Sequence, residues 1–184
     1  MKYWQVTIAV VALGILAIGS SNSFAASDPI YMNFPGISGD TITKGFENQI
    51  QVDSFQWGVE RAISSPSGGI REAGAPHVGE ITITKLMDKA SPLLLQSSLV
   101  GEAVSPVTIT FVKEAGTGPV RYAEYTLDNV LISGYSVSSG GDNPTESLSL
   151  SFTKITFKFT PTNPDGSPGT PIQTTYDLAL GKVV

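Results

Sequence analysis

Residues 50–59, "IQVDSFQWGV", place Ile50 and Val52 on one face of an extended chain and Phe55, Trp57 and Val59 on the other. Side chains alternate strictly along a strand, so an apolar set that changes parity requires a bulge, a bend, or passage from one sheet into another. The same shift recurs in residues 148–159, where Leu148, Leu150 and Phe152 give way to Ile155, Phe157 and Phe159. Two such breaks suit a barrel, or two sheets packed orthogonally, better than one flat sheet. Burial of both faces, one by the core and one by a neighbouring subunit, would leave a similar pattern, and the two explanations are compatible.

Working outward, apolar and β-branched runs predict strands over Ile30–Phe34, Gln49–Arg61, Val78–Lys85, Val104–Glu114, Val120–Val137, Glu146–Thr160 and Ile172–Leu180. Clusters of Gly, Pro, Asn and Asp such as "EAGTGP" and "PTNPDGSPGTP" punctuate them. One segment differs: in "KLMDKASPLLLQSSLVGEAV", residues 85–104, the leucines bunch instead of alternating. Ser91 reads as an N-cap, Pro92 as the first helical residue and Gly101 as the left-handed stop. A helix of about nine residues is too short to stand alone in water, so Leu94, Leu95 and Leu99 are expected to dock on the sheet. The expected fold is all-β, a two-sheet barrel with one short flanking helix.

Residues 1–25 have the form of a cleavable signal peptide: Lys2, an apolar run from Val6 to Gly19, then small residues around Ala25. The run falls short of the ~20 residues that span a bilayer. Export with cleavage after Ala25 or Ala26 is expected, leaving one domain over residues 26–184 in the periplasm or outside the cell, without stable membrane insertion.

The whole chain carries 11 Lys and Arg against 16 Asp and Glu, a net charge of −5, and loss of Lys2 removes one more positive charge. Such a balance repels phosphate backbones and argues against nucleic-acid binding. Cysteine is absent, which excludes disulfides, thiol catalysis and Cys-ligated metals.

Motifs for other chemistry fail one by one. The single histidine, His77, lies in a Gly/Pro-rich segment, and no G-x-S-x-G elbow accompanies it. Carboxylate pairs exist in principle, among them Glu47 with Asp53, Glu60, Glu72 with Glu80, and Glu124 with Asp128, but solvated acidic residues explain them better. Asp142, Asn143 and Glu146 could offer oxygen ligands to calcium, yet the spacing fits an Asx-type turn. Lys44 and Lys182 lack the glycine spacing of a phosphate loop. Asp88, Lys89 and Ser91 read as a helix start rather than a Ser–Lys catalytic pair. No catalytic residue, cofactor or metal ligand is implied.

Read in order, several segments resemble the haemolysin-coregulated protein (Hcp) family, the tube subunits of type VI secretion systems. They are "YMNFPGISGDTITKGFENQIQVDSFQWGV", the Gly-rich "ISSPSGGIREAGAPHVG", the helix "DKASPLLLQSSLVGE", and the strands within "VTITFVKEAGTGPVRYAEYTLDNVLISGYSVSSGGDNPTESLSLSFTKITFKFTP". The resemblance runs from about Asp28 to Val184. It implies a non-enzymatic subunit that forms hexameric rings, stacks them into tubes, and holds secreted cargo or contacts a spike-type tip protein. It also implies an inter-ring loop, by position Ala62–His77, with Ser64, Ser65, Pro66, Gly68, Gly69, Arg71, Glu72 and His77 as its polar and turn residues. A connection of about sixteen residues is long for a compact domain, which fits a partner-contacting role. The signal peptide departs from the family, whose members usually begin near the first strand. An exported β-barrel binding module, an adhesin or carbohydrate-binding domain using Trp57, Tyr122, Tyr125 or Tyr135, is the competing expectation.

Overall fold

The chain changes sheet at Asp53. In the computed structural model, which describes residues 28–64, 70–115 and 118–184, strand β1 (Ile30–Asn33) pairs with β2 (Ile50–Val52), whereas β3 (Ser54–Gln56) pairs with β6 (Ile81–Leu86) in a different sheet. The Asp53 N–H donates to the Thr84 carbonyl at 2.8 Å, so the corner residue already belongs to the second ladder. Val52 therefore faces the core from one sheet and Phe55 and Trp57 from the other. The segment expected as one strand over Gln49–Arg61 is three, because β4 (Val59–Ser64) leaves the barrel to pair with β5 (Glu72–Val78).

Two more corners complete the barrel. β10 (Thr145–Ser151) lies in the smaller sheet and β11 (Lys154–Phe159) in the larger, with the Thr153 N–H bonded to the Asp128 carbonyl at 3.1 Å. The predicted strand over Val120–Val137 also divides, into β8 (Gly118–Asp128) and β9 (Leu131–Ser138), one in each sheet. Asn129, at φ 54°, makes that turn, and Val130 and Val104 exchange both main-chain hydrogen bonds beside it. With β7 (Val107–Ala115), β12 (Ile172–Asp177) and β13 (Lys182–Val183), the larger sheet has the order β13-β12-β11-β8-β7-β1-β2, and the smaller β3-β6-β10-β9. The result is a two-sheet β-barrel filled by Met32, Ile50, Ile81, Ile83, Ile109, Leu127, Leu148 and Leu150, all fully buried.

The outer face of β1 is covered by the chain's own loop: Tyr31 stacks on Phe46 at 4.5 Å, with the Arg121 guanidinium 4.6 Å from that ring's centroid. Gly39 makes the fold-back possible, since a Cβ there would sit 2.4 Å from the Gln49 carbonyl oxygen and 2.5 Å from the Ile50 Cα.

The smaller sheet contains a charged core. Lys85 continues the inward alternation of Ile81 and Ile83, Glu146 that of Leu148 and Leu150, and the two lie directly opposite each other in the ladder. Both side chains are fully buried, with Nζ 2.6 Å from Glu146 Oε2. Nζ also lies 2.8 Å from Asp88 Oδ1, 2.7 Å from the Leu86 carbonyl and 3.2 Å from Ser91 Oγ, while the Tyr135 hydroxyl donates to Glu146 Oε1 at 2.6 Å. Every charge is answered, the condition under which a buried ion pair is tolerated.

This network sets the start of the one helix among the described residues, α1 (Ser91–Val100). Ser91, expected as the N-cap, is instead the first helical residue, and Ala90 holds the cap position without a side-chain bond. The reason is that the Ser91 hydroxyl turns back to accept from the Asp88 N–H at 3.0 Å and from Lys85. Pro92 stands second, where a missing N–H costs nothing because the first turn's N–H groups have no helical partner. Gly101 ends the helix at φ 73°. The expected docking of three leucines is corrected as well: only Leu94 is buried, while Leu95 and Leu99 face outward.

Replacing Lys85 by Ala strands the buried Glu146 carboxylate and is expected to cost about 3–5 kcal/mol of unfolding free energy. The double replacement Lys85→Met with Glu146→Leu is expected to recover most of that loss, read from denaturant midpoints. Tyr135 supplies a pH test. Burial, followed by its bond to Glu146, pushes its hydroxyl up to about 12. A folded value above the unfolded one gives stability that is present below about pH 10 and lost as pH rises through about 12. The stability difference between wild type and Tyr135→Phe, measured by urea titration, is expected to shrink across that interval; a constant difference would contradict the raised titration of the hydroxyl.

Candidate assembly surfaces

The segment Ala62–His77, expected as an irregular loop, is mostly a hairpin. β4 and β5 pair in register, with Val59 opposite Val78, Glu60 opposite His77, Ile63 opposite Ala73 and Ser64 opposite Glu72, and a bulge between Arg61 and Ile63. His77 is thus a strand residue, lining a shallow cleft at the hairpin root with Trp57, Glu60 and Glu80. Pro76 is accommodated because a two-stranded ribbon is all edge. Arg71 is exposed just before β5, and Ser65, Pro66, Gly68 and Gly69 lie outside the described residues.

The hairpin forms a sheet of its own, and all six β4 side chains are exposed. Its root is pinned by the Gly79 N–H to the Gly58 carbonyl at 3.0 Å and by the Trp57 indole N–H to the Gly79 carbonyl at 3.0 Å. The Arg61 guanidinium donates to the Gly74 carbonyl at 2.8 Å farther out. A lone two-stranded ribbon is at best marginally stable in water, so this one gains from being covered.

The helix and the edge of the larger sheet also leave apolar side chains uncovered. Leu99 on α1 is 78% exposed, and Leu93, Leu95 and Val100 are exposed beside it. β12 and β13 extend the larger sheet past β11, the last of its strands joined through a corner to the smaller sheet. They present exposed Ile172, Leu180, Val183 and Val184, together with an unpaired strand edge.

Several of the residues weighed for chemistry are engaged in bonds within the fold. Lys85 and Ser91, rather than Lys89 and Ser91, form the close lysine–serine pair. The ammonium stands between two carboxylates, and Ser91 is 5% exposed with its hydroxyl already accepting two bonds, which describes an ionic lock closed to substrate. Glu124 pairs with Lys158 at 2.7 Å and Asp128 with Lys154 at 2.9 Å. Glu47 accepts from the Gly45 N–H, and Glu146 belongs to the core rather than to a calcium loop with Asp142 and Asn143. Among the described residues no group of three acidic or histidine side chains is close enough to hold a metal, and no helix is long and apolar enough to cross a membrane.

Of the aromatic residues considered as a binding platform, Trp57, Tyr122 and Tyr125 pack in the cluster that includes Phe111, and Tyr135 is bonded to Glu146. Sequence reasoning missed the Lys85–Glu146 pair although its signal was present: each charge occupies an inward position of a two-residue period.

A profile of the family described as "Type VI secretion system effector, Hcp" matches residues 31–159, over half of the chain. Protein hcp1 of Pseudomonas aeruginosa is 31% identical over 107 residues, 55% of this chain, and the Major exported protein of the same species is 32% identical over 95 residues, 51% of this chain. The matches span 65% and 54% of the length of these two relatives. Among solved structures, a type six secretion system protein superposes with a TM-score of 0.80 at 23% identity, covering 86% of this chain and all of the other. Hcp1 from Salmonella typhimurium superposes with a TM-score of 0.69 at 21% identity, covering 85% and 98%. The fold is shared with both, and on the strength of the profile match the chain belongs to the Hcp family of type VI secretion system proteins.

Proposed function

We propose that this protein is a non-enzymatic structural subunit that assembles into hexameric rings able to stack, exported from the cytoplasm by a signal peptide over residues 1–25 and acting in the periplasm or outside the cell. The observation that carries the reading is the projecting β4–β5 hairpin, an isolated ribbon with one strand exposed along its whole length. A second copy would supply the covering it lacks.

Energetics support association. Burying an apolar side chain contributes about 1.5–3 kcal/mol, against an association cost of about 4–15 kcal/mol. Leu99, Val100, Ile172, Leu180, Val183 and Val184 together fall in the range that makes a lateral contact favourable when both surfaces are used. Cyclic closure satisfies such surfaces on every copy at once. The channel of a ring would hold secreted cargo, and its exposed end would meet a tip protein, as the family resemblance implies.

The mature protein at tens of micromolar is expected to weigh six protomers by native mass spectrometry, and a strict monomer would overturn the proposal. Deleting residues 64–73 is expected to leave the ring intact while removing stacking, scored by negative-stain microscopy. N-terminal sequencing of protein from fractionated cells is expected to begin at residue 26 or 27; an intact Met1 would refute cleavage.

A further inference from the structure

The proposed cleavage site lies close to a strand that the barrel cannot release. Cleavage after Ala25 or Ala26 leaves two or three residues before Pro29, at most about 10 Å of extended chain. From Pro29 onward the chain is bound. The Pro29 carbonyl accepts from the Val112 N–H at 3.0 Å, and Ile30 opens β1 opposite Val52 of β2 and Phe111 of β7. β1 is an interior strand of the larger sheet, between β7 and β2. Both of its faces are covered, Met32 by the core and Tyr31 by the stacked Phe46 ring. Burial, and after it the Asp28 carboxylate, push the Tyr122 hydroxyl up, which puts residue 28 in reach of β8 as well.

A peptidase holds its substrate extended along its own cleft, and two or three residues are too few to lie there while a folded barrel abuts the next one. Freeing more chain means drawing β1 out of the middle of a sheet, which breaks ladders on both sides and takes the fully buried Met32 out of the core. Such an opening approaches global unfolding, and cleavage that depends on it slows with the population of the open state. The order of the strands supplies an interval in which cleavage is unobstructed. β2 follows β1 closely in the chain, whereas β7 and the Val112 N–H come much later. Where export keeps pace with synthesis at about 5–20 residues per second, residue 111 follows residue 30 by roughly 4–16 s. Pairing between such distant segments is also slow in itself.

We propose that signal cleavage and barrel closure exclude each other, so that the fold itself sets their order: the peptidase cuts while β1 waits for β7, and the pairing of β7 ends its access. A chain that closes before it is cut stays tethered by its apolar segment. The inference rests on the reading of residues 1–25 as a cleavable signal, and its test keeps the two apart.

The full-length precursor is unfolded in urea, diluted into detergent to refold, and given a purified bacterial signal peptidase after increasing delays. Refolding is followed by near-ultraviolet circular dichroism and cutting by intact mass. Cutting is expected to be fast at the shortest delays and at least about tenfold slower once the native spectrum has returned. A second precursor carries a flexible Gly/Ser linker of about ten residues between Ser27 and Asp28. It is expected to be cut at the early rate whether folded or not. Equal rates for the folded and the freshly diluted wild-type precursor, or a folded linker precursor as resistant as the wild type, overturn the exclusion and leave the signal reading standing. A precursor that refolds only after it has been cut supports the same order. Failure to cut the unfolded precursor after residue 25 or 26 overturns the signal reading instead.

Discussion

The fully buried ion pair between Lys85 and Glu146 is the constraint on which the rest of the structure depends. Such a pair gains little stability over an apolar replacement, because desolvation offsets most of the Coulombic attraction. Its effect is on register. Lys85 and Glu146 face each other across β6 and β10, and a slip of one strand by one residue would turn its charge and its apolar side chains outward and leave the other charge buried without its partner. The native register is the one that leaves no charge unanswered, and it places Ile81, Ile83, Leu148 and Leu150 in the core.

From that knot the structure propagates outward. The Leu86 carbonyl, Asp88 and Ser91 all converge on the Lys85 ammonium, so the β6–α1 turn and the first helical residue are held by the same charge that fixes the sheet. Tyr135 ties β9 to the far oxygen of Glu146. The helix is thereby seated at its N-terminal end, and Leu94 suffices to hold its body. Leu95 and Leu99 are left on the outside.

What the sequence revealed follows from the same periodicity. The corners at Asp53 and at Phe152–Thr153 were legible because apolar parity changes across them. The corner at Asn129 carries a comparable change, from Leu127 to Val130 and Ile132, but it was hidden in a run long enough to pass for one strand. The β4–β5 hairpin was illegible for a different reason: with its strands exposed, nothing distinguishes its Gly, Ala, Pro and Ser from a loop. The Lys85–Glu146 pair was overlooked because charges are ordinarily read as solvent-facing, and α1 was over-read because leucines are ordinarily read as core. Both errors assign a side chain's surroundings from its type, where strand position and the presence of a partner decide.

The outward leucines and the bare hairpin are better understood together than as separate irregularities. The barrel interior is already filled and its corners closed, so the remaining apolar groups do not belong to an incomplete core. Most of them lie on α1, on the β12–β13 extension and on the hairpin, with Ile42, Leu86 and Met87 exposed elsewhere. Gathered apolar surface and an unpaired strand edge on a free monomer invite indiscriminate aggregation. A net charge of −5 restrains that outcome at long range without preventing specific contact. In the assembly proposed for this chain, the helix and the sheet extension would be covered by closure into a ring and the projecting hairpin by a copy along the axis. On the proposed reading, one chain carries two kinds of contact, one suited to closure and one to growth.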